Sequence, residues 1–394
     1  MPAARDPFEG INGSGKHNNW SLSYGKTNLL DPGDDPMDNL RFLVFLACVI
    51  EAVDEYQELL RMSVASAGND HSLGANEAPP AIISIFLGSD LGAIVDALIS
   101  GEEYHSAESI AMDLGVAVLP KFLKDNTDRN RTSPFAFTGN KFEFRMPGSS
   151  VNLSDCNMIL NTAMAKSLKD FADALEGYEG AEFEKKAIAH IKETLRDHQR
   201  IIFNGNGYSE EWEQEAERRG LANHRTTAEA LPCYIAQKSI DLFSEFGVLT
   251  EAEVRSRYEV KLEKYSKLLN IEARVMIRMA RRTYLPAISD YAAALAGNIT
   301  SIKAAVAGAD MAPHERIVNR LVRGINDASA AIDALVAVHD AAEAIEDPQE
   351  QANAYAATVL PAMDALRKEI DDLECIVERD YWPVPTYNDI LFYA

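Results

Sequence analysis

An α+β fold is predicted, with antiparallel β strands and helices mixed in the first part of the chain and a large all-helical region after it. Three observations predict it. Alternation with a period of two marks short strands at Asn18–Ser23 and Lys141–Met146. Turn clusters such as Asp31-Pro32-Gly33-Asp34-Asp35-Pro36 cut the early chain into short pieces. From about Asp155 onward apolar residues recur at three- and four-residue spacings, as packed helices require. At 394 residues the chain can bury a large core, and its length corresponds to about two or three structural units.

Composition excludes several function classes. The net charge of −23, from 61 acidic and 38 basic residues, disfavours a nucleic-acid or anionic-membrane surface, which relies on basic patches. An anionic ligand must be met by a few placed cations. Cys48, Cys156, Cys233 and Cys375 form no CxxC pair, so neither a disulfide framework nor a zinc site is expected, and a reducing cytoplasm fits. No signal-peptide core follows Met1, and the apolar run Leu43–Ile50 is too short to span a bilayer.

Taken in order, Asn18–Ser23 reads as a half-buried strand with Trp20 and Leu22 on one face. Asp38 is placed to cap a helix carrying Leu40, Leu43, Phe45, Leu46, Val49 and Ile50, running to about Met62. Residues 67–80 are small and turn-forming, and a loop that long inside a domain is commonly functional. Ala81–Leu87 reads as an apolar strand and Asp90–Ile99 as a short helix. Two β runs around Thr138-Gly139-Asn140 predict a hairpin. In its second run Lys141, Glu143 and Arg145 share one face, and Phe142, Phe144 and Met146 the other. Helices are then expected over 155–176, 180–203, 208–219, 226–245, 250–306, 312–344 and 348–378, with Leu262, Tyr265, Leu268, Leu269, Ile271 and Val275 packing between long antiparallel helices. The aromatic, Pro-rich tail Tyr381–Tyr387 is expected to lie extended in a groove of the same or a neighbouring subunit.

Residues Gly10 to Lys16 satisfy GxxxxGK, but His17 stands where a phosphate loop needs a hydroxyl, and a strand rather than a helix follows. The alternative is a Gly-rich surface turn. Lys141, Glu143 and Arg145 read either as the solvated face of an edge strand or as a metal and phosphate pair, since a carboxylate suits a hard divalent ion and a guanidinium suits phosphate. Arg274, Arg278, Arg281 and Arg282 read as a salt-bridged helix face in preference to an anion site, with Glu259, Glu263 and Glu272 as available partners.

Four segments, in order, carry a resemblance. They are Pro7 to Ser21, Gly74 to Pro80, Asn130-Arg131-Thr132-Ser133 and Lys141 to Pro147. Together they resemble glutamine synthetase, most closely its long type III branch. The resemblance implies that residues 1–165 are the C-terminal part of a glutamine synthetase catalytic domain and 166–394 a helical region with long antiparallel helices and an aromatic tail. It further implies ATP-dependent ligation of ammonia to glutamate through γ-glutamyl phosphate, with ATP and Mg2+ or Mn2+ as cofactors. By match to the family motifs, Asn12 and Gly13 contact glutamate, and His17 and Glu143 ligate metal at separate positions. Arg131 meets ATP phosphates, with Ser21 and Lys141 as weaker nucleotide or phosphate contacts. Arg145 meets the transferring phosphoryl group, and Glu77, on a lid running from Gly68 to Pro80, forms the ammonium site.

The same resemblance places an N-terminal β domain and several acidic metal ligands ahead of the residues present here. The expected assembly is therefore a homo-oligomer whose site is completed by that N-terminal half or by a neighbouring subunit, with no nucleic acid and no membrane. A truncated paralogue with a structural or regulatory role is the alternative. Ser72 stands where the family pattern calls for an arginine that holds the substrate carboxylate, and Ala136 near the place of a second loop arginine.

Overall fold

Aromatic residues at alternate positions decide where the sheet forms. The computed structural model describes residues 16–74, 78–101, 130 and 132–391. Six short strands occur among them: β1 (Asn18–Trp20), β2 (Ser23–Tyr24), β3 (Thr27–Asn28), β4 (Ile85–Phe86), β5 (Phe135–Phe137) and β6 (Phe142–Phe144). Four make one sheet in the order β1-β6-β5-β4, and β2 and β3 form a separate hairpin. β6 is antiparallel to both β1 and β5, while β4 lies parallel to β5. The predicted hairpin is present, with Phe135 opposite Phe144 and Phe137 opposite Phe142. Gly139 takes a positive φ of 85° in its turn, and Thr138 N donates to Lys141 O at 2.8 Å. The rings of Phe135 and Phe142 stack at 4.8 Å and those of Phe137 and Phe142 meet edge-on at 5.2 Å, all on the buried side.

Two predicted strands are shorter in the structure. β1 ends at Trp20 because the chain turns away into the β2–β3 hairpin, so Leu22 lies outside the strand and Trp20 shares its buried side with Asn18. Of the apolar run 81–87, the two residues Ile85 and Phe86 join the ladder, although the whole run is buried. Ile82 bridges instead to Asn223, and Ile85 also to Ile202.

Helices cover the sheet. α1 (Leu40–Glu55) is capped by Asn39, whose side chain accepts from Phe42 N at 3.1 Å, one residue beyond the expected Asp38. It stops at Tyr56, and α2 (Gln57–Ser63) follows; a helical turn, α3 (Ala67–Asp70), opens what reads in sequence as loop. α4 spans Gly88–Ser100 and ends on Gly101 in the left-handed region. α5 (Ser154–Ala174) and α6 (Gly180–His198) pack on α1, whose Phe42, Leu46, Ile50 and Val53 are fully buried. Asn157 and Asn161, one turn apart on α5, accept from Asn18 Nδ2 at 2.9 Å and Trp20 Nε1 at 2.8 Å, and so fix β1 in place. α7 (Glu210–Arg218), α8 (Thr227–Ala230) and α9 (Gln237–Glu245) complete this unit, which ends at Tyr258.

The second unit begins at Glu259, inside α10 (Glu251–Met279). It continues through a π-helical turn at Ala280–Tyr284 into α11 (Leu285–Ala305), then α12 (Ala312–Glu343), α13 (Pro348–Ala354), a second π-helical turn, α14 (Leu360–Glu374) and α15 (Tyr387–Leu391). α12 packs against α11 and α14 around buried Leu321, Ile332, Leu335 and Leu366. Leu262, Tyr265 and Leu269 are buried as expected, but Leu268 and Ile271 are exposed, because they fall on the outer side of α10. Two of the four arginines form ion pairs with α12, not with the glutamates expected from the sequence: Arg274 Nη2 lies 2.7 Å from Glu343 and Arg281 Nη2 3.1 Å from Asp333. The tail docks on its own unit, where Trp382 stacks on Tyr284 and Tyr387 accepts from Arg367 Nη2 at 2.8 Å.

One buried charge ties α1 to α6. Asp54 is 1% exposed and accepts from Arg200 Nε at 2.9 and 3.0 Å, with His198 Nδ1 at 2.8 Å. Burial works against the protonated imidazole, but the Asp54 carboxylate, with Glu51 and Glu55 beyond it, holds the His198 pKa above its ordinary value. A raised folded-state pKa contributes stability that is complete below the unfolded value and lost as pH rises through the folded one. Resistance to urea is therefore expected to fall as pH rises above the ordinary histidine range in the natural chain, and to fall less steeply in His198→Asn, as measured by denaturation at each pH.

Candidate active site

β6 supplies the centre of the site. Glu143 sits between Phe142 and Phe144, and the pleat turns its side chain away from their buried face, beside Asn19 of β1 and Ala136 of β5. Just past the strand, Arg145 N donates to Pro134 O at 2.8 Å, and Nε and Nη2 of its guanidinium donate to Glu143 Oε2 at 3.1 and 2.9 Å. Its Nη1 donates to the carbonyl of Asn130. Arg145 is therefore 5% exposed, not a member of a solvated charged face, because Glu143 and Asn130 satisfy the guanidinium on two sides. His17 directly precedes β1, with a half-exposed side chain whose Nδ1 is 3.7 Å from Glu143 Oε2.

The β1–β6 pairing thus gathers His17, Glu143 and Arg145 from positions more than a hundred residues apart in the chain. An imidazole and a largely buried carboxylate are each fitting donors to a divalent ion, and the guanidinium beside them suits a phosphate. Ser21 and Lys141 lie at the other end of the same strand pair. The Ser21 hydroxyl contacts Asn28 Oδ1 at 2.8 Å and Asn140 O at 3.0 Å, holding the β2–β3 hairpin against the β5–β6 turn. Lys16 is an anchor here: its backbone N donates to Pro147 O and its Nζ to Val151 O, both at 2.8 Å. Asn12, Gly13, Glu77 and Arg131 lie outside the described residues.

The segment expected as a lid starts from a buried anchor. Asn69 Nδ2 donates to Val64 O and Met146 O, both at 2.9 Å. Asp70 accepts from Arg61 Nη2 at 3.1 Å, Thr227 N at 2.6 Å and Thr227 Oγ1 at 2.9 Å. Ser72 N, just beyond, donates to Asn69 O at 2.9 Å. Nothing in the local sequence marks Asn69 and Asp70 as anchors, or the Asn130 carbonyl as an Arg145 partner, because these contacts join segments distant in the chain. The run Asn204-Gly205-Asn206-Gly207 carried a usable signal, since paired Asn-Gly steps mark a tight turn.

A family model, the glutamine synthetase C-terminal domain, matches residues 187–303. Glutamine synthetase of Butyrivibrio fibrisolvens is 44% identical over 387 residues, which cover 98% of this chain and 55% of that protein. The type-3 glutamine synthetase of Dictyostelium discoideum is 43% identical over 392 residues, 98% of this chain and 53% of that protein. Glutamine synthetase of Bacteroides fragilis (strain YCH46) is 40% identical over 396 residues, 98% of this chain and 54% of that protein. The chain spans about half the length of these curated relatives. With nearly the whole chain matched at that identity, and the family's C-terminal domain recognised within it, the chain belongs to the glutamine synthetase family.

Proposed function

We propose that the chain supplies part of the active site of an ATP-dependent glutamate–ammonia ligase that works in the cytoplasm as a homo-oligomer. The observation that carries the reading is the convergence of His17, Glu143 and Arg145 on one sheet face, in a chain whose relatives are named glutamine synthetase. His17 and Glu143 would each hold Mg2+ or Mn2+, at separate positions, and the metals when bound would neutralise phosphate charge during transfer. Arg145, already desolvated and held by Glu143 and Asn130, presents a fixed cation to charge that develops on the phosphoryl group; pre-organisation is what makes such a cation effective. Asn12 and Gly13 would contact glutamate, Arg131 the ATP phosphates, and Glu77 would take the proton from ammonium. Lys141 and Ser21 are the outlying nucleotide contacts.

Phosphate release from ATP that requires both glutamate and ammonium tests this, using the chain alone and the chain combined with the N-terminal half of a relative. Release in at least one arrangement is expected, and silence in both overturns the reading. Within an active arrangement, Arg145→Lys is expected to lower kcat on the order of 100-fold, because the compact ammonium cannot reproduce the guanidinium's fork. His17→Ala and Glu143→Gln should each weaken Mn2+ binding by at least about tenfold, read by titration calorimetry. By contrast, Lys16→Ala is expected to leave nucleotide affinity within about twofold, since Lys16 anchors a loop end on Val151; a large loss there would restore the phosphate-loop reading.

A further inference from the structure

We propose that Asn130, Thr132 and the turn Asn204–Tyr208 are positioning elements for the Arg145 guanidinium. Each polar atom of the Asn130 side chain is used. Nδ2 donates to Gly205 O at 2.7 Å, and Oδ1 accepts from Thr132 N at 2.9 Å and Thr132 Oγ1 at 2.7 Å. The Thr132 hydroxyl oxygen in turn accepts from Gly207 N at 2.8 Å. With its side chain held from both directions, Asn130 has its carbonyl fixed toward Arg145 Nη1, and the other two engaged nitrogens of that guanidinium meet Glu143. The direction of Arg145 is thereby set by a turn more than fifty residues further along the chain.

The turn is itself braced. Phe203 N donates to Ile85 O at 2.9 Å, and Asn204 Oδ1 accepts from Leu87 N at 3.0 Å and Gly88 N at 3.2 Å, where β4 passes into α4. The Phe203 ring stacks on Trp212 of α7 at 3.7 Å between centroids. Glycine is required at 207 for close approach: a Cβ there would stand 2.8 Å from the Thr132 carbonyl oxygen, which is backbone and cannot swing aside. Any side chain at that position pushes the turn off Thr132 and releases Asn130.

The catalytic meaning of this device rests on the reading of Arg145 as the phosphoryl contact, but its geometry can be tested separately. In the chain labelled with isotopic arginine, the Arg145 Nε–H resonance is identified by its loss in Arg145→Lys. Its hydrogen exchange is expected to be slow, and to accelerate at least about tenfold in Thr132→Val and Gly207→Ala while Thr132→Ser, which keeps the hydroxyl, restores it. Thr132→Val is nearly isosteric, so an unchanged thermal transition separates positioning from general unfolding. Unchanged Arg145 exchange in both Thr132→Val and Gly207→Ala overturns the proposal. In an active ligase assembly, Thr132→Val should lower kcat without moving the KM for glutamate, and should add nothing in an Arg145→Lys background. Accelerated exchange with a full kcat would leave Arg145 positioned by the turn and overturn its catalytic role instead.

Discussion

The pleat of β6 is the constraint on which the site depends. Phe142 and Phe144 point into the core against Phe135 and Phe137, so the residue between them and the one after must face the other way. A slip of one residue would bury the Glu143 carboxylate among aromatic rings and expose two phenylalanines, a change too costly to compete. The hydrophobic face therefore fixes the register, and the register places Glu143 beside Asn19 and brings His17 within reach. Two asparagines of α5 then hold β1 to the core, so that a strand of three residues can carry a functional group at its entrance.

Charges buried in the first unit mark the joints between distant segments. Arg145 joins β6 to Asn130, Arg61 joins α2 to Asp70 and to the carbonyls of His224 and Arg225, and Asp54 joins α1 to Arg200 and His198. Removing a charge from water is expensive, and such groups persist where several directed hydrogen bonds compensate. The return is orientation, because a group bonded on two or three sides has few alternatives. The second unit is built differently. Its Arg274 and Arg281 pairs are largely solvated and contribute little, so its helices are held by the apolar contacts of α12 with α11 and α14.

Much of this architecture was legible in the residue order. The hairpin around Gly139 and the split between a mixed first part and a helical remainder follow from spacing, whereas the partners of Arg274 and Arg281 lie on α12 and do not. Boundaries were less legible. The run 81–87 is apolar except for Ser84 and buried throughout, as a strand or any buried segment would be, and only Ile85 and Phe86 join the ladder while Ile82 bridges to Asn223 instead. Likewise Ala67–Asp70 reads as loop by composition, and becomes a helical turn because Ser66 caps it and Asp70 finds Arg61 and Thr227.

What the sequence determined by itself is which residues face together along one element: Glu143 with Arg145, Phe142 with Phe144, Asn157 with Asn161. Those follow from the periods of strand and helix, which are local properties of the backbone. Tertiary structure decided which of those faces meet. It brought His17 to Glu143, sank Arg145 into the protein, turned Lys16 into a loop anchor, and carried Gly205 and Gly207 to the back of Asn130. No local period encodes those meetings, because each depends on loop closure and on hydrogen bonds between segments that are neighbours only after the core has formed.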